Sequence, residues 1–226
     1  MQECIDEVVV FFGGSTQTSQ SQVSAALFFY IMHPEKSKRV LDELKQTFGA
    51  KVHIDAPIED WVEAFTESYL TNLIETQYFM SETLRLHPSI PLSLSFRLSE
   101  TSDVCDYSIR KGTVLQVDMH SMQTNPEEWI DPWMFNPERF NPESPYFKTP
   151  SGKKRHPMSF SPFLGGRRVC VGKTFSEYFT KIIFTVVVLS FQMEFEKEEH
   201  YKDKPAMGFF SESPKVPIKI KVLENN

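Results

Sequence analysis

The run Ser159-Phe160-Ser161-Pro162-Phe163-Leu164-Gly165-Gly166-Arg167-Arg168-Val169-Cys170-Val171-Gly172 sets one cysteine after two adjacent glycines and two arginines. An apolar run with helical spacing follows from about Lys173. Sulfur ligates metal as the thiolate, and nearby cations or a helix N-terminus are the usual means of stabilising that charge. Both are at hand here, since Arg167 and Arg168 lie three and two residues upstream of Cys170. The glycines let the backbone pass close to a large planar object and expose N–H groups toward the sulfur. An isolated cysteine is ordinarily a small buried hydrophobe; these surroundings reverse that reading and make Cys170 a candidate metal ligand.

Phe163, Gly166, Arg168, Cys170 and Gly172 stand at every spacing of the pattern Phe-x-x-Gly-x-Arg-x-Cys-x-Gly. This is the signature of the cytochrome P450 haem-thiolate monooxygenases, and the chain resembles that family. The resemblance implies haem b (iron protoporphyrin IX) bound from the proximal side by Cys170, with Arg168 on a haem propionate. It also implies insertion of one oxygen atom from O2 into an apolar small-molecule substrate, with electrons from NADPH through a reductase. An anionic sulfur ligand favours the O–O cleavage that such chemistry needs.

Further upstream, Glu82-Thr83-Leu84-Arg85 precedes Leu86-His87-Pro88 in a segment that reads as a long helix from Tyr69 to His87. Residues three apart share a helix face, so on its own the pair reads as a surface ion pair. Asp131-Pro132-x-x-Phe135-x-Pro137-Glu138-Arg139-Phe140 lies downstream. By resemblance, Glu82, Arg85 and Arg139 form a buried structural triad that locks the loop beneath the haem.

Residues 3 to 32 read as one helix ending before Pro34, with Val8, Val9, Val10, Phe11 and Phe12 apolar all round, as in a helix buried on every side. Gly13-Gly14-Ser15-Thr16-Gln17-Thr18 interrupts it. Two interior glycines fit close approach of a ligand or packing across small residues, and the hydroxyls can bond to carbonyls a turn earlier and open the helix. The family carries a small-Gly-x-acid-Thr-Thr pattern here, over the distal haem face. Gly13, Gly14 and Thr18 match it, but Thr16 replaces the acid and Gln17 the oxygen-facing threonine. Thr16, Gln17 and Thr18 are thus the candidate distal catalytic residues. The departure also motivates a haem-thiolate isomerase, dehydratase or peroxide-using enzyme.

A second, exposed helix should run from His33-Pro34-Glu35 to Phe48, with Val40, Leu41, Leu44 and Phe48 on one face and Gly49 as its stop. Pro57 to Asp60 opens another segment. Ser93 to Arg97 and Val114 to Met119 read as strands, joined through a turn at Lys111-Gly112-Thr113. Arg97 matches a family arginine that reaches a haem propionate, and Leu92 to Phe96 would border the substrate cavity. Asn136 to Pro157 is a Pro-, Ser- and Asn-rich meander. Thr174 to Phe191 should be the helix behind the cysteine loop, Glu196 to Lys204 a solvated turn, and Pro217 to Val222 a half-buried strand. Phe209 and Phe210 are candidates for the pocket lining.

Hydrophobic residues at 40%, with 20 Phe, indicate a globular chain of 226 residues. A formal charge of −6 speaks against a nucleic-acid binder. Cys4, Cys105 and Cys170 form no CxxC pair, which fits a reducing compartment rather than a disulfide framework. No signal peptide is expected beside Glu3, Asp6 and Glu7, and Ile182 to Phe191 is about half the length of a membrane span. HExxH, GxSxG and P-loop patterns are lacking, and His33 and His87, each before proline, read as helix ends. Between Glu143 and Glu177 stand seven basic residues and no acidic one. This cluster, with Lys153, Lys154 and Arg155 at its centre, is the expected docking surface for an acidic electron donor.

The expected fold is mainly α with small β-sheets (α+β), corresponding to the C-terminal haem-binding half of the cytochrome P450 fold. Residues 1–226 form a single partial domain on this reading. A complete parent protein would reside at the endoplasmic reticulum membrane, attached through an N-terminal part outside this chain. The sequence also allows an inactive, non-enzymatic fragment, truncated or incompletely recorded, whose aromatic faces would meet water.

Overall fold

The computed structural model describes residues 1–197 and 216–224. Phe209 and Phe210, and Glu198 to Lys204 of the expected solvated turn, lie outside the described residues.

Four helices build the core. α1 (Gln2–Met32) packs through its second half on α5 (Ile74–Leu86) and α7 (Lys173–Ser190), while α2 (Pro34–Phe48) lies across α5 and α7. The buried face of α1 is small, with Ser21, Ala25 and Ala26 letting its backbone approach its neighbours closely. Around it cluster Val40, Leu44, Leu73, Phe79, Phe135, Phe184 and Val188. Rings fill the centre: Phe135 stacks on Phe29 at 4.6 Å, and Phe79 meets Phe135 at 5.0 Å and Phe184 at 5.8 Å.

The first half of α1 corrects the expectation of burial on every side. Val8, Val9, Val10, Phe11 and Phe12 are all exposed, Phe12 at 74%. A helix satisfies its own backbone hydrogen bonds, so it persists where nothing among the described residues covers its side chains. α1 also remains continuous through Gly13 and Gly14. A Cβ at either glycine would meet nothing within 4 Å, so neither close packing nor an opened helix accounts for them.

α2 matches its expected span, with Pro34 in the first turn and Gly49 at φ +55 as the C-cap. Such a φ favours glycine. The expected long helix from Tyr69 breaks into α4 (Glu67–Thr71) and α5, separated by Asn72 and Leu73. α3 (Ile58–Ala64) precedes them, opened by Pro57. The break is held by Glu43 of α2. Its carboxylate accepts from the N–H groups of Glu75 and Thr76 at 2.9 and 2.8 Å and from the Thr76 hydroxyl at 2.7 Å. Those amides are orphan donors of a helix start, and Glu43 caps them from a distant segment.

The sheets are small and antiparallel. β1 (Phe96–Arg97) pairs with β4 (Val114–Leu115), and the bridge Leu92–Asp118 extends the contact. Both strands are shorter than expected. Met119, read as strand, instead opens α6 (Met119–Gln123) because Asp118 caps it, accepting from Ser121 N–H at 2.9 Å. A hairpin of β2 (Ser102–Val104) and β3 (Tyr107–Ile109), turning at Cys105 with φ +52, was not anticipated. β5 (Phe191–Phe195) pairs with β6 (Ile218–Val222). β6 is exposed at all five residues rather than half-buried, since nothing among the described residues covers it. Just beyond, Leu223 donates its N–H to Ser190 at 2.9 Å, and its carbonyl lies 2.7 Å from Nε2 of the buried His53.

Irregular chain runs from 124 to 172, beyond the meander expected over Asn136 to Pro157, with single 3-10 turns at Pro137–Phe140, Pro145–Phe147, Pro157–Ser159 and Gly166–Arg168.

Candidate functional site

Cys170 is exposed at the end of a loop that closes on itself. Its N–H donates to the Phe163 carbonyl at 2.9 Å, Leu164 N–H donates to Ser161 at 2.9 Å, and Val169 N–H donates to Gly166 at 3.3 Å. Leu164 and Gly166 both adopt positive φ, +61 and +63. Glycine takes this conformation freely, whereas a side chain at 166 would be strained. Gly172 is the N-cap of α7, so the helix begins three residues after Cys170, as the sequence implied. A Cβ at Gly172 would lie 3.8 Å from the Cys170 sulfur, in ordinary contact with it.

Exposed apolar side chains surround the thiol. Val169 and Val171 flank it, and Phe175, Phe179 and Ile183 continue the stripe along α7 at helical spacing. Phe175 and Phe179 stack at 5.5 Å. A cavity of about 320 Å³ opens beside the loop, lined by Leu164, Gly165, Arg167 and Arg168 on one side and Phe96, Met119 and Met122 on the other. Arg168 thus faces the β1 region. Arg97, next to Phe96, is exposed and donates to the Gly112 carbonyl at 3.2 Å. An accessible thiol, an apolar surface around it and guanidinium groups toward one edge fit a flat apolar macrocycle with acidic edge groups.

Thr16, Gln17 and Thr18 lie on the exposed part of α1 or at its border. The threonine hydroxyls back-bond as expected: Thr16 donates to Phe12 at 2.8 Å and Thr18 to Gly14 at 2.7 Å. One turn further, Gln22 shares a cavity of about 140 Å³ with Phe160, Phe163 and Leu164 of the cysteine loop. α1 therefore meets the loop beyond the candidate residues rather than at them.

The structure brings Glu82, Arg85 and Arg139 together, each fully buried. Arg85 grips Glu82 bidentately at 2.7 and 2.8 Å, and Arg139 Nε reaches the same carboxylate at 3.1 Å. Asn136 N–H adds a fourth donor at 2.8 Å. The guanidiniums then spread over the meander. Arg85 donates to the carbonyls of Gln123, Pro132 and Met134, and Arg139 to those of Ile130, Asp131 and Met134. Irregular backbone leaves carbonyls that no ladder satisfies, and these arginines supply the donors.

Arg155 departs from the expected docking patch. Its guanidinium turns inward, donating to the carbonyls of Tyr146 at 2.7 Å and Arg139 at 2.5 Å, and lies 4.2 Å from the Trp129 ring centre. A planar fork can stack on an aromatic face and donate to carbonyls at the same time. Lys153 and Lys154 remain exposed. Trp129, Gln123 and Arg155 are network members that the sequence did not reveal, because no spacing rule links them to Glu82.

Cys4, Cys105 and Cys170 are all free and exposed. Among the described residues, no helix is long and apolar enough to cross a membrane.

Comparison with known proteins places these observations in context. The family model described as Cytochrome P450 matches residues 1–222. The chain is 33% identical over 186 residues to (S)-N-methylcoclaurine 3'-hydroxylase isozyme 1 of Papaver somniferum, covering 82% of this chain and 35% of that protein. It is 31% identical to cytochrome P450 4V2 of Rattus norvegicus, covering 84% of this chain and 33% of that one. The chain thus spans about a third of the length of these curated relatives. Among solved structures, the heme domain of cytochrome P450DA superposes with a TM-score of 0.72 at 18% identity, covering 91% of this chain and 40% of that one.

Proposed function

This chain belongs to the cytochrome P450 family, and from that premise we propose that it carries the haem-binding part of a haem-thiolate monooxygenase, with Cys170 as the axial iron ligand. The observation that carries the proposal is the exposed Cys170 thiol, presented by a self-closed loop at the start of α7 amid exposed apolar side chains. Residues 1–226 are read as one part of a larger haem domain.

When bound, haem b supplies activation of O2 for insertion of one oxygen atom into an apolar substrate, with the thiolate enriching the iron in electron density. Arg168 and Arg97 would hold its propionates, and Phe163 fixes the loop through its carbonyl. On α1, the Thr16 and Thr18 hydroxyls donate to the backbone and keep acceptor lone pairs, while the exposed Gln17 amide can order water. These groups position protons rather than supply them as a carboxylic acid would. Electrons come from NADPH through a reductase that docks at Lys153 and Lys154. We place the complete protein at the endoplasmic reticulum membrane.

A carbon-monoxide difference spectrum of the 226-residue chain, reconstituted with haem and reduced, tests the ligand. The thiolate-type band is expected in the native protein and lost in Cys170→Ser; its survival in the variant overturns the assignment. Charge reversal at Lys153 and Lys154 is expected to slow reduction, with the effect shrinking as salt rises. Equal rates at low salt would remove the docking site.

The absence of an acid at residue 16, with both threonine hydroxyls donating to their own helix, favours a second reading, a haem-thiolate isomerase, dehydratase or peroxygenase. Peroxide-driven turnover without NADPH-driven turnover in a full-length form would select it. The exposed apolar half of α1 favours a third, a fragment inactive alone. Failure of the chain to retain haem would select that one.

A further inference from the structure

Arg155 stands four residues before Ser159, the start of the cysteine loop. A short closed loop delivers it: Lys148 bridges Lys154, and Thr149 N–H donates to Lys153 at 2.8 Å. Three successive anchors then seat the chain on the meander. Arg155 lies over Trp129, His156 N–H donates to Glu128 at 2.9 Å, and the Phe160 ring meets Phe140 at 4.8 Å.

Trp129 is fully buried and carries a second guanidinium, that of Arg85, 5.0 Å from its ring centre. One indole therefore couples Arg155 to the triad. A second route is direct, from the Arg155 guanidinium to the Arg139 carbonyl. Burial and the charges of Arg139 and Arg85 push the Arg155 pKa down to about 10, with Glu82 opposing. Two guanidiniums on one carboxylate, with that of Arg155 close behind them, are costly unless their geometry is used, because burying unneutralised charge is unfavourable. Carbonyl oxygens and aromatic faces provide that compensation here.

We propose that Arg155 is a positioning residue for the Cys170 loop, a strut carrying the rigidity of the Glu82–Arg85–Arg139 cluster into residues 159–172. Its functional weight rests on the ligand role of Cys170; its structural content does not. Lysine keeps the charge but cannot stack flat while donating two fixed bonds. A docking role tolerates Arg155→Lys, whereas the strut does not.

Hydrogen exchange of the 226-residue chain tests this without haem. In Arg155→Lys, peptides covering residues 159–172 are expected to exchange about tenfold faster, with α2 changing less than about twofold. Trp129→Phe, which leaves Arg155 over a smaller ring, should speed the same peptides about threefold. Lys154→Glu should leave them unchanged. Native exchange across residues 159–172 in both the lysine and phenylalanine variants overturns the strut, as does uniform acceleration across the whole chain. With haem added, Arg155→Lys should also lose part of the thiolate band. A Cys170→Ser protein that kept that band would instead refute the ligand assignment, so the two failures are distinguishable.

Discussion

His87 ends α5 with a buried ring whose Nε2 has no hydrogen-bond partner among the described residues. Burial first, and then the nearby His120, push its pKa from 6.5 down to about 4. The unfolded chain therefore takes up a proton there at a higher pH than the folded one does. The stability due to neutral His87 is complete above pH 6.5 and is lost as pH falls toward 4. A depression of this size corresponds to about 3 kcal/mol. Urea titrations should therefore show a flatter pH response for His87→Gln than for the native chain over that interval; parallel curves would contradict it. Glu82→Gln should cost about 3–5 kcal/mol by the same titration, because Arg85 and Arg139 lose the carboxylate they share. The Glu82–Arg85 pair was legible because helical spacing places both on one face, and the resemblance supplied Arg139. Arg155 was misread as a surface charge, since a basic residue among lysines carries no mark of the Trp129 ring that receives it.

α5 depends on a carboxylate from another helix. Glu43→Ala should cost about 1–2 kcal/mol, as for loss of a helix cap, and should speed amide exchange at Glu75 and Thr76. Unchanged exchange there would show that α5 starts without help. Elements with their own punctuation were readable: Pro34 and Gly49 bound α2, and α7 follows the Gly172 cap. The split at Leu73 was not, because it is decided by Glu43 across the fold. The β2–β3 hairpin was missed for a related reason. Its strands are three residues each and mostly exposed, so no apolar alternation announces them.

Across the molecule, the apolar surface divides unevenly. The core forms around the second half of α1, whereas Val8 and Phe12 contribute nothing to it. Val8→Lys with Phe12→Lys should leave the unfolding free energy from urea titration within about 0.5 kcal/mol of the native value. The same pair should reduce self-association in sedimentation velocity; a large stability loss would mean that this half is packed in solution. The helix was legible from its composition, but its exposure was not, since an all-round apolar pattern says that neighbours are wanted and not where they come from. The long-range joint between His53 and Leu223 has a consequence during synthesis. The ribosome must add 170 residues after His53 before the carbonyl that meets its ring exists. Until then the nascent chain holds that imidazole without its acceptor, so this corner is completed only after nearly all the helices have emerged.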